Sequence, residues 1–179
     1  MFRLVFIITV LECLIITPSK ANRENMVEGG AIHFYGAVVG TSCSVDTQSL
    51  QQTIMLDQVT ANTFSGLGSW ASAKPFWIKL EQCDANTNQF ASVMFTGQAD
   101  ESDPQVFKAG YGGDSARGVG IGIFDESGEL VVPNTTPKLK SAITAGQNII
   151  FYTAKYRATS AHVEPGKTSA TINFAIIYQ

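Results

Sequence analysis

Beyond its N-terminus, this sequence is apolar in short stretches that mostly alternate residue by residue. The closing stretch SATINFAIIYQ sets Ile172, Phe174, Ile176 and Tyr178 on one face. QNIIFYTAKYRAT sets Ile150, Tyr152, Ala154 and Tyr156 against Ile149, Phe151, Thr153 and Lys155. PFWIKLEQC sets Phe76, Ile78 and Leu80 against Trp77, Lys79 and Glu81. Side chains on a strand alternate between two faces, whereas a helix repeats every 3.6 residues. No segment longer than a turn or two follows the helical period. FASVMFTGQA reads as a further strand, and so does SVDTQSLQQTIMLDQV, where Ile54 and Leu56 stand between polar neighbours. VGIGIFDESGELVV reads as a hairpin about Asp125, Glu126, Ser127 and Gly128. ANTFSGLGSWASAKP, DESDP, NTTPKLK and EPGK read as turns or loops. Short strands with turns about every 10 residues predict an all-β protein, and specifically a β-sandwich. Sixteen glycines and 15% charged residues, against the usual quarter or so, fit that class.

The N-terminus follows a different rule. One positive charge in Met1–Phe2–Arg3 precedes the apolar run LVFIITVLECLIIT, and the small residues Ser19 and Ala21 follow. This order predicts a secretory signal peptide over residues 1–21, cut after Ala21. The alternative is an uncleaved membrane anchor, but the run is short for a span of about 20 residues and contains Glu12. Cys13 leaves with the signal peptide, so Cys43 and Cys83 remain. An even pair in an exported chain predicts a disulfide. Closing a loop of about 40 residues stabilises by roughly 4 kcal/mol in the chain-entropy description. The alternatives are a reactive thiol, which needs an adjacent base or cation, and a metal site, which needs more ligands than His33 and His162 supply.

No catalytic constellation emerges. His33 and His162 have no serine in an elbow motif to work with, because G-x-S-x-G is absent. Asp100, Glu101 and Asp103 lack the glycine and terminal glutamate of a calcium loop and read as a solvated turn. Gly118, Gly120 and Gly122 have the wrong spacing for a dinucleotide fingerprint and read as a glycine-punctuated strand. Asn134–Thr135–Thr136 is a glycosylation sequon by letter only. A net charge of −3 gives no basic footprint for nucleic acid. The sequence therefore predicts neither an enzyme nor a bound small-molecule cofactor.

Two strands, one near each end, remain to be placed. GGAIHFYGAVVGTSC puts Gly30, Ile32, Phe34, Gly36 and Val38 on one face and Ala31, His33, Tyr35, Ala37 and Val39 on the other. By period alone this is the first strand of the chain's own sandwich, and the stretch ending at Tyr178 is its last.

Particular motifs add to that reading. G-G-x-I-H-F-x-G-x-V-V spans residues 29–39, TSCSVD surrounds Cys43, KLEQCD surrounds Cys83, AKYRAT spans 154–159, and Tyr178 is penultimate. Together they resemble the chaperone–usher fimbrial subunits, the type 1 pilins, over the whole mature chain. Within that family the segments FTGQADESDPQVF and GVGIGIFDESGELV resemble minor subunits of the FimI type. The resemblance implies an incomplete immunoglobulin-like β-sandwich, the pilin fold, short of its last strand. It divides the chain into a signal peptide (1–21), a donor-strand extension (22–39) and a pilin domain (40–179). A periplasmic pilus chaperone would lend the missing strand, an outer-membrane usher would pass the subunit on, and the extension of a neighbouring subunit would take the strand's place. The chain would travel through the periplasm to the fimbrium on the cell surface. Gly30, Ile32, Phe34, Gly36 and Val38 would enter a neighbour's core. Gly166, Ile172, Phe174, Ile176 and Tyr178 would meet the chaperone. A tip subunit binding a host glycan, or a subunit that ends or anchors the fibre, are the alternative roles.

Overall fold

The computed structural model describes residues 43–84, 86 and 89–179. Residues 1–21 and 22–39, with the proposed donor positions Gly30, Ile32, Phe34, Gly36 and Val38, lie outside the described residues. The strands in chain order are β1 (Ser44–Val45), β2 (Trp70–Cys83), β3 (Phe90–Thr96), β4 (Phe107–Lys108), β5 (Val119–Asp125), β6 (Leu130–Val131), β7 (Ser141–Ala142), β8 (Gly146–Ala158) and β9 (Asn173–Tyr178). An α-helical turn, α1, covers Thr47–Leu50, and a 3-10 turn covers Ala61–Thr63. The larger sheet has the order β1-β2-β8-β5-β4, with β6 pairing β5; the smaller has the order β7-β3-β9. Neighbouring strands pair antiparallel throughout both sheets.

The alternation explains how the sheets meet. Phe76, Ile78 and Leu80 of β2 and Ile150, Tyr152, Ala154 and Tyr156 of β8 turn inward and are buried. Ala91, Val93 and Phe95 of β3 meet them from the smaller sheet in one core. Phe76 stacks on Tyr152 with ring centroids 5.6 Å apart. Phe95 meets Tyr152 edge-on at 5.0 Å. These rings join the sheets, and each such pair is worth about 0.5–1.5 kcal/mol beyond its buried area. The outward set of the same two strands, Trp77, Ile149 and Phe151, is exposed. Farther along that outer face Trp70 lies against β5. A Cβ at Gly122 would run into the Trp70 ring, so the glycine makes room for an aromatic. Arg157 covers the same ring at 4.8 Å.

Two local readings are corrected. SVDTQSLQQTIMLDQV is not one strand: only Ser44 and Val45 join a ladder, Asp46 then caps the α1 turn, and residues 51–60 carry no strand. The reason is the partner available to them, since the adjacent edge of β2 is taken up by side chains of this segment. The WASAKP part of the supposed turn belongs to β2, which begins at Trp70. It does so through a bulge between Ala71 and Lys74, with Ser72 at φ 57°. A bulge bends a strand without ending it. The hairpin joins β5 to β6 through Ile123–Val131 and Phe124–Leu130. Cys43 and Cys83 form the disulfide, tying the start of β1 to the end of β2 across 40 residues of chain.

Candidate functional site

β9 is the edge of the smaller sheet. Its register with β3 is regular: Tyr178 faces Ala91, Ile176 faces Val93, and Phe174 faces Phe95. Phe90 and Gln179 exchange both backbone hydrogen bonds, at 3.0 and 3.1 Å. In an antiparallel ladder hydrogen-bonded pairs alternate with pairs whose amides point away. Residues 173, 175 and 177 therefore bond to β3. Phe174, Ile176 and Tyr178 turn their N–H and C=O groups to the outer edge, which pairs with no strand among the described residues. The same residues, with Ile172, pack partly buried side chains against the core. One set of positions thus offers backbone hydrogen bonds outward while its side chains line the core below.

A second wall comes from earlier in the chain. Val45, Ile54, Leu56, Val59 and Phe64 also lie partly buried against the core. The Tyr178 hydroxyl donates to the Cys43 carbonyl at 3.2 Å, which joins the two walls beside the disulfide. Burial pushes the Tyr178 phenol above its ordinary pKa. Farther along, a groove of about 540 Å³ opens between Leu56, Val59 and Phe64 on one side and Val163, Pro165 and Gly166 on the other. The segment carrying Gly166 is stitched to residues 114–117: Ala116 donates to the Lys167 carbonyl at 2.9 Å, and Arg117 and Glu164 exchange backbone bonds at 3.2 and 3.0 Å. A Cβ on Gly166 would collide with the backbone of Ser115 and Ala116.

Of the residues singled out in the sequence, the structure thus brings Ile172, Phe174, Ile176 and Tyr178 onto one face of one edge. It sets Gly166 apart, at the groove, in close contact with its own chain. Val59, Phe64 and Val163 share the groove and carry no sequence signal, being lone apolar residues in turn-like stretches. Among the described residues the arrangement is an open strand edge above partly buried apolar side chains, with a groove farther along.

Comparison with known proteins places this architecture. Residues 32–179 match the model of the fimbrial protein family. The chain is 39% identical over 150 residues, 84% of each chain, to long polar fimbria protein A of Salmonella typhimurium. It is 32% identical over 154 residues, 86% of this chain and 87% of the relative, to the putative fimbrin-like protein FimI of Salmonella typhi. Among solved structures, the P pilus rod subunit PapA has the same fold, with a TM-score of 0.66 at 23% identity over 78% of this chain and 100% of that one. The chain belongs to the fimbrial protein family, the pilus subunits of chaperone–usher type, and its fold is their incomplete immunoglobulin-like sandwich. Its relatives are structural subunits rather than enzymes.

Proposed function

We propose that this chain is joined into its fibre by strand addition at the outer edge of β9. A periplasmic chaperone supplies the strand first, and the N-terminal segment of a neighbouring subunit replaces it after the usher has received the complex. The observation that carries this reading is the double role of Phe174, Ile176 and Tyr178, with outward backbone groups above half-buried side chains. Main-chain pairing supplies affinity there, and alternate side chains supply specificity. Ile172 extends the contact face, and Gly166 lines the groove farther along.

In the same reading, residues 30–38 do for another copy what this edge receives. Gly30, Ile32, Phe34, Gly36 and Val38 form the apolar face; Ile32, Phe34 and Val38 are its large residues, and Gly36 sits where the neighbour's groove is shallow and a side chain would clash. Burying three such side chains gives on the order of 5–9 kcal/mol before any backbone bonds are counted. We place the chain as a minor subunit, exported through the periplasm to the fimbrium. Its two middle segments of FimI type support that role.

Deleting residues 22–39 tests the reading. The truncated chain is expected to co-purify with its chaperone and to be missing beneath a preceding subunit in sheared fibres. Normal incorporation of the truncated chain would overturn it. Quantitative mass spectrometry of purified fibres checks the minor role, with an expected ratio well below one copy per rod subunit.

A further inference from the structure

We infer that Ser49 and Gln52 determine which edge of the sandwich accepts a strand, by occupying the backbone groups that β2 would otherwise offer. The inference rests on strand addition as the joining reaction. Its ground is the side of β2 that faces away from β8. The Asp46 N–H bonds the Lys79 carbonyl at 3.0 Å, so the Lys79 amide points to that side. Its N–H donates to Ser49 Oγ at 3.0 Å. Two residues earlier, the Trp77 carbonyl accepts from Gln52 Nε2 at 2.6 Å. The next outward position is Pro75, which has no N–H to give. Beyond it the strand bends at the bulge between Ala71 and Lys74.

The cover is itself built. Asp46 Oδ1 accepts from the Gln48 N–H at 2.9 Å, and the Ser49 N–H bonds the Asp46 carbonyl at 2.9 Å, which closes the α1 turn. That turn holds Ser49 at 2% exposure against the strand. A side-chain hydroxyl and a side-chain amide therefore replace the strand that an edge of this kind would recruit. Covering an edge, placing proline on it and bending it are each ways to stop unwanted pairing, and β2 has all three. β9 has none: its sequence, NFAIIY, contains no proline and no charge, and its register is unbroken. The difference matters because β2 is the longer template, 14 residues against 6.

The experiment uses the full chain, a synthetic peptide copying residues 29–39, and residue-resolved amide exchange. In the natural chain the peptide is expected to protect the Ile176 and Tyr178 amides and to leave Trp77 and Lys79 unaffected. In Ser49→Ala combined with Gln52→Ala, Lys79 exchange without peptide is expected to rise at least tenfold, and added peptide is expected to protect both edges. Gln52→Ala alone keeps the Lys79 bond and is expected to show no rise there, which separates a lost cover from a general loosening. Peptide held at β9 alone in the double variant, with Lys79 exchange unchanged, would overturn the role of Ser49 and Gln52 and leave strand addition standing. A natural chain that binds the peptide at neither edge would remove strand addition, and edge selection with it.

Discussion

β2 runs for 14 residues and β9 for 6, yet it is the shorter strand whose outer edge is open among the described residues, while β2 bonds the side chains of Ser49 and Gln52. Both strands border the open side of the same core. The long one is screened by Ser49, Gln52, Pro75 and a bulge. The short one is regular, uncharged and lined below by Phe174, Ile176 and Tyr178. A protein that must accept one strand meets two hazards, staying empty and filling at the wrong place. With the proposed strand addition, an inviting sequence on one edge and a screened one on the other would handle the two separately.

The largest way to disturb the contrast is to release the screened wall. Replacing Cys43 and Cys83 by serine frees the start of β1 and removes a closed loop, with an expected loss of roughly 4 kcal/mol. Urea unfolding measures it; a loss below about 1 kcal/mol would mean that the ladder and the Tyr178 bond hold this wall unaided. A second change moves the device of one edge to the other. Ile176→Pro deletes an outward N–H without touching the bonds to β3, so β9 acquires what Pro75 gives β2. One hydrogen bond and part of a buried side chain amount to about 2 kcal/mol, so affinity for the 29–39 peptide should fall by more than tenfold. Unchanged affinity would show that the strand pairs elsewhere.

Gly166→Ala acts on the groove rather than on the edge. Its methyl group meets the Ser115–Ala116 backbone, and overpacking of this kind costs about 1–3 kcal/mol. The melting temperature should drop by several degrees while Lys79 exchange stays as it was. The smallest effect belongs to Tyr178. Burial raises its phenol pKa in the folded chain, and burial followed by the charges of Asp125 and Glu126 raises that of Tyr152. A raised native pKa means that unfolding favours loss of the proton. Stability is then full below the ordinary phenol value of about 10 and falls as pH rises through the native values. Tyr178→Phe should cost about 1 kcal/mol at neutral pH through the bond to Cys43 and make the decline above pH 10 shallower. A decline as steep as the parent's would assign the whole effect to other groups.

The sequence shows strands best where the fold gives each face a different surroundings. Residues 76–80, 149–156 and 172–178 alternate because one side meets the core and the other meets solvent. The incomplete fold came from joint motifs, since period alone treats β9 as an ordinary last strand. The segment after Cys43 misleads because Ile54 and Leu56 alternate like a strand while no ladder is open to them. Nothing local marks Ser49 or Gln52, whose partners lie 30 and 25 residues away. Gly166 reads as a turn glycine, although its tight neighbours are some fifty residues earlier in the chain.

The coincidence of outward amides and inward side chains at Phe174, Ile176 and Tyr178 gives this edge a reading frame. A guest displaced by a single residue would bring its wrong face inward and bury polar groups. One displaced by two residues would regain every main-chain bond and differ only in which large residue meets which hollow. Errors of fit therefore come in steps of about 7 Å, and only the sizes of the guest's alternate residues distinguish one step from the next.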